Sequence, residues 1–174
     1  MKTKQAVIKA ASFGSVSEGT LKTADLLSAF ISELEWQVSR NGEFFGRPEN
    51  FELRDKLANL VGEAQDCFAE SGDEIDENKQ DEADGVCNDM ADVLSDWFAP
   101  AYGYFGAHAG DGADFGFWPQ DIEEIKEQVE FASSVESEFP TGEFSGEWLH
   151  INERGNCTLY VRENGRDVEI WSLV

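Results

Sequence analysis

Apolar residues return at helical spacing three times in the first hundred positions. Thr23 stands where an N-cap would, and Leu26, Leu27, Phe30, Ile31, Leu34 and Val38 then mark one helical face until Asn41-Gly42 ends the pattern. After the turn-forming Gly46-Arg47-Pro48, the set Leu53, Leu57, Leu60, Val61, Ala64 and Phe68 predicts a second helix running to Ser71-Gly72. A third carries Val86, Met90, Val93, Leu94 and Trp97 on one face and is stopped by Pro100. Between the second and third, from Gly72 to Gly85, only Ile75 and Ala83 are apolar, so this stretch reads as a mobile acidic loop.

The texture changes at Ala101. Tyr102, Tyr104 and Phe105 lead into the glycine-rich Gly106 to Gly112, and Phe115, Phe117 and Trp118 follow, which predicts an aromatic hairpin. Ile122, Ile125, Val129 and Ala132 predict a shorter helix with Glu123, Glu124, Glu127 and Glu130 outward. Three strand-like runs, Trp148 to Ile151, Cys157 to Val161 and Val168 to Trp171, are separated by turn-forming Glu153-Arg154-Gly155-Asn156 and Glu163-Asn164-Gly165-Arg166. The expected fold is α+β: three to four helices, the aromatic hairpin and a C-terminal three-stranded antiparallel meander. It is read as one domain over 1–174, with a helical acidic part at 20–100, hairpin and helix at 101–135 and the meander at 146–174.

Charge changes the picture. The 174 residues hold 36 Asp and Glu against 13 Lys and Arg, a net charge of −23. That balance disfavours direct binding to nucleic acid, whose affinity comes from cations displacing counterions. With 41% hydrophobic residues and 13 Phe, the chain nevertheless has the apolar content to fold. No signal-type apolar stretch opens it and no run is long enough to span a bilayer, so a soluble protein inside the cell is expected. Cys67, Cys87 and Cys157 are odd in number and lack metal-type spacing, which favours reduced core thiols.

The acids concentrate between residues 63 and 96: Glu63, Asp66, Glu70, Asp73, Glu74, Asp76, Glu77, Asp81, Glu82, Asp84, Asp89, Asp92 and Asp96, opposed by Lys79. Glu63, Asp66 and Glu70 fall at i, i+3 and i+7 on the second predicted helix, and Asp89, Asp92 and Asp96 repeat those offsets on the third. Like charges at such spacings each destabilise a helix by a few tenths of a kcal/mol, so the stripes do not serve folding. Set side by side, two stripes with carboxylates roughly 5 Å apart would approach the charge density of duplex DNA, about one charge per 1.7 Å. Such a surface can compete for a cationic DNA-binding groove. The plainer reading stands beside it: charge runs are usually solvated faces, and acid-rich, lysine-poor composition also marks salt adaptation.

Other chemistry is thinly represented. His108 and His150 are the two histidines. His108, Asp111 and Asp114 cluster on the hairpin, where oxygen ligands would suit a divalent ion, but Asp and Gly are also what tight turns use. Asp76, Asn78 and Gln80 begin like an EF-hand, yet Asp81 stands where its glycine must be. No phosphate-cradling loop, dinucleotide fingerprint or nucleophile elbow is present. No catalytic residue is nominated and no cofactor is implied.

The segment YGYFGAHAGDGADFGFWP, Tyr102 to Pro119, and SVSEGTLKTADLLSAFISELEW, Ser15 to Trp36, resemble stretches of uncharacterised small acidic proteins of bacteriophages and mobile elements. The likeness covers about a quarter of the chain and brings no catalytic residues. In charge and size, though not in an identified motif, the chain is similar to antirestriction and anti-CRISPR DNA mimics. The resemblance implies an inhibitor in the cytoplasm of a bacterial host, whose partner is a basic DNA- or RNA-binding protein of host defence. The thirteen acids from Glu63 to Asp96 are its expected contacts. Two other functions remain open: a metal-binding module or enzyme on His108, Asp111 and Asp114, and a phage structural or interaction protein in which the aromatic hairpin docks a partner and the acids confer solubility.

Overall fold

The computed structural model describes residues 8–134 and 139–174, which fall into two compact units divided between Trp118 and Pro119. The boundary cuts through the stretch read from sequence as hairpin plus following helix.

The first unit packs helices against a small sheet. Helix α1 (Thr23–Arg40) presents Leu27, Phe30 and Leu34 to the core. Helix α2 (Gly42–Phe45) adds Phe45, helix α3 (Phe51–Asp66) adds Leu57 and Ala64, and helix α4 (Gln80–Phe98) adds Ala83, Val86, Met90, Leu94 and Phe98. The sheet has the order β1-β3-β2, with β1 Gly14–Ser17, β2 Gly103–His108 and β3 Asp111–Pro119. Phe105 and Phe117 project from it into the core, where Phe105 meets Phe30 edge-on at 5.0 Å. β1 runs antiparallel to β3 so closely that a Cβ at Gly116 would collide with the Gly14 carbonyl oxygen and lie 2.8 Å from the Ser15 Cα.

Several expectations are corrected here. Thr23 is the first residue of α1 rather than its cap, which is Lys22 without a side-chain hydrogen bond. The Thr23 hydroxyl instead donates to Asp84 Oδ1 at 2.7 Å, and Gln80 Nε2 donates to both, at 3.0 and 2.9 Å, tying the starts of α1 and α4 together. α3 ends at Asp66, so Glu70 is not on the helix. The acidic stretch is not a loop to Gly85: α4 starts at Gln80, because Ala83 extends the buried row backwards and acids suit the positive end of the helix dipole. What remains, residues 67–79, is tied by a bridge between Phe68 and Ile75, with Ala69 N donating to Glu74 O and Asp76 N to Cys67 O.

The second unit begins with helix α5 (Ile122–Gln128), capped by the Asp121 carboxylate accepting from Glu123 N at 2.8 Å. Ala132 does not extend it. Phe131–Ser133 form strand β4, parallel to β5 (Gly146–Ile151), so the expected meander of β5, β6 (Cys157–Glu163) and β7 (Arg166–Leu173) becomes a four-stranded sheet, order β4-β5-β6-β7. The β6–β7 turn uses Asn164 and Gly165, both at positive φ (52° and 73°), as a two-residue hairpin turn requires. Leu149 and Leu159 are buried in register, and Trp148 stacks on Tyr160 at 4.9 Å. No described helix is long and apolar enough to cross a membrane.

Candidate functional site

Between α3 and α4 lies a groove of about 980 Å³. α3 contributes Glu52, Asp55 and Glu63 to its lining, and α4 contributes Asp89, Asp92 and Asp96. At 3.6 residues per turn, the three α4 aspartates share an arc of about 60°, which the buried row fixes toward the groove because that row occupies the neighbouring arc. α3 buries only Leu57 and Ala64 fully, and so leaves much of its own face open. Of the apolar residues in the lining, Leu57 is buried, Leu60 and Val93 are half-buried and Trp97 is 42% exposed.

The electrostatics are one-signed. Lys56 is the cation in the lining, and the Arg54 guanidinium pairs with Asp55 at 3.0 Å. Among the described residues, Glu52, Glu63, Asp89, Asp92 and Asp96 have no ion-pair partner.

The two predicted stripes therefore meet in part. Glu63 shares a groove with Asp89, Asp92 and Asp96, whereas Asp66 and Glu70 do not line it. Asp66 ends α3, where its carbonyl accepts from Lys79 Nζ at 2.6 Å. Glu52 and Asp55 were not among the expected contacts. Their signal was legible, since residues 52, 55, 59 and 63 recur at i+3 and i+4 spacing on one face.

The acids of 73–84 have other surroundings. Asp73 and Glu74 line a separate concavity with Leu21, Lys22 and Asp25. Asp76 accepts from Asn78 N at 2.8 Å, Glu77 is exposed in the same turn, and Asp81 and Glu82 occupy the first turn of α4. Asp84 is held by Thr23 and Gln80.

The hairpin gathers no metal site. His108 Nδ1 accepts from Gly110 N at 3.1 Å and its ring packs on Trp118, Asp111 Oδ1 accepts from Ala113 N, and Asp114 accepts from the Ser15 hydroxyl. Among the described residues no three His, Cys, Asp or Glu side chains converge for an ion. The aromatics are largely internal: Phe105 and Phe117 are buried, and Trp118 Nε1 donates to Gly106 O at 3.0 Å. The thiols are unpaired, and burial pushes Cys67 and Cys157 up and Cys87 to about 11, with nearby Asp84 adding to the Cys87 shift. They stay protonated near neutral pH, as core thiols do.

Set against protein-family models, curated proteins and solved structures, the chain matches none.

Proposed function

We propose that the protein is an acidic inhibitor that occupies the nucleic-acid-binding groove of a basic host-defence protein, a restriction or CRISPR effector, in the cytoplasm of a bacterial host. The observation that carries this reading is the gathering of six carboxylates and one lysine around a single groove. Glu52 and Glu63 are separated by about 16 Å along α3 at 1.5 Å per residue. With Arg54 compensating Asp55 and Lys56 one further acid, four net negative charges over that length is about one per 4 Å, near the one per 3.4 Å of a single strand of duplex DNA. The density falls short of both strands together, so the site matches one strand's worth of phosphate. A cleft built to hold phosphates would meet carboxylates at comparable spacing and release the same kind of counterion. No catalysis and no cofactor are needed.

The test is displacement of labelled DNA from a panel of purified restriction and CRISPR effectors, read by fluorescence anisotropy in about 50 mM salt, where screening is weak. The protein should displace DNA from at least one member. Replacing Asp89, Asp92 and Asp96 by Lys should abolish displacement. Undiminished activity of that variant, or no displacement from any member at low salt, overturns the reading.

A further inference from the structure

The groove holds more than charge, and its other features identify the chemistry of what enters it. A surface copying phosphates needs only outward carboxylates. Here the carboxylates share the lining with buried Leu57, half-buried Leu60 and Val93, and Trp97, which is partly open to solvent. Half-buried Leu60 and Val93 and the exposed Trp97 among charged lining residues suit a partner site, since the charges steer and the apolar groups gain from desolvation.

Resting on the inhibitor reading above, we infer that the partner element seated between α3 and α4 is a basic amphipathic helix, apolar stripe inward. Three observations select that occupant. The walls are two helices whose own backbone groups are satisfied, so an extended segment would find no strand edge to pair with, whereas a helix brings its hydrogen bonds internally. The size fits: a helix about 10 Å across and two turns long fills roughly 900 Å³, against the groove's volume of about 980 Å³. The charge fits on both sides, because acids stand on each wall and an inserted apolar stripe flanked by Lys and Arg meets both rows at once. Trp97 offers an indole face to an arginine, an arrangement the chain already uses where Arg54 lies 4.6 Å over the Phe51 ring.

The experiment titrates the full-length protein with two labelled 18-residue peptides of identical Leu, Lys and Arg content in about 150 mM salt. One places Leu at i, i+3, i+4 and i+7; the other scrambles the order, removing the stripe but not the charge. The amphipathic peptide should bind at least ten times more tightly. Trp97→Ala should reduce that preference to under threefold, and Trp97→Phe should restore most of it. Neutralising Asp89, Asp92 and Asp96 to Asn should weaken both peptides. Equal binding of the two peptides by the unaltered protein overturns the inference, as does a preference that survives in folded Trp97→Ala. If DNA displacement succeeds while the peptides bind equally, the inhibitor reading stands and the helix is refuted. If the preference holds while displacement fails, the groove ligand stands and the inhibitor reading falls.

Discussion

Neutralising the α4 stripe should stabilise the protein. Asp89 and Asp92 are an i, i+3 like-charge pair and Asp92 and Asp96 an i, i+4 pair, each worth about 0.2–0.5 kcal/mol of repulsion in a helix. Asp96 also sits near the C-terminus of α4, where the dipole disfavours an anion by about 0.3–1 kcal/mol. Asp and Asn have similar helix propensity, so changing all three to Asn leaves the backbone term nearly constant. The sum is a gain of about 0.7–2 kcal/mol. For a unit of this size that raises Tm by about 3–8 °C. Thermal unfolding followed by circular dichroism in about 20 mM salt measures it, and the gain should largely vanish in about 1 M salt, where the screening length is about 3 Å. A lower Tm in the variant at low salt would mean that these carboxylates support the fold, and the argument that they serve a partner would lose its footing. The informative outcome is the conjunction: a more stable protein that no longer displaces DNA or binds the peptides.

The remaining predictions concern packing and protonation. Gly116→Ala should destabilise the first unit by about 1–3 kcal/mol in denaturant unfolding, because the added methyl meets the Gly14 backbone and a strand must shift; a change within 0.5 kcal/mol would show that β1 is not held as described. Cys87 is raised from 9.0 to about 11 in the folded state, so the folded protein holds that proton more tightly than the unfolded chain. Its contribution is fully present below about pH 9 and is lost as pH rises through about 11. Cys87→Ala should therefore show a shallower fall in Tm across that window than the unaltered protein, and identical slopes would refute the assignment.

Element type was legible where apolar periodicity ran long. Leu26 to Val38 marked α1, Leu53 to Ala64 marked α3, Asn164-Gly165 marked the last hairpin turn, and the aromatic runs around Gly106–Gly112 marked the β2–β3 hairpin. The short strands were not. Gly14–Ser17 and Phe131–Ser133 are too brief to show alternation, and each forms because a neighbouring strand supplies its hydrogen bonds. The start of α4 is hidden in sequence because acids around Ala83 mask the one small apolar residue that continues its buried row. The candidate site is half legible in sequence: spacing marks Asp89, Asp92, Asp96 and Glu63, whereas Glu52 and Asp55 lie outside the densest acidic stretch and Glu70 lies beyond the end of α3.

By itself, the order of residues determined which stretches become helices and hairpins, how acidic they are, and which face of each helix turns inward. These are consequences of local geometry, set by 3.6 residues per turn and by alternation along a strand. Tertiary structure alone decided that α3 and α4 lie side by side with a groove between them, that Glu63 joins the α4 aspartates while Asp66 does not, and that Asp84 is committed to Thr23 and Gln80. Those outcomes depend on how deeply each helix packs into the shared core. That depth is set by the volume of side chains distant in sequence, which no local pattern records.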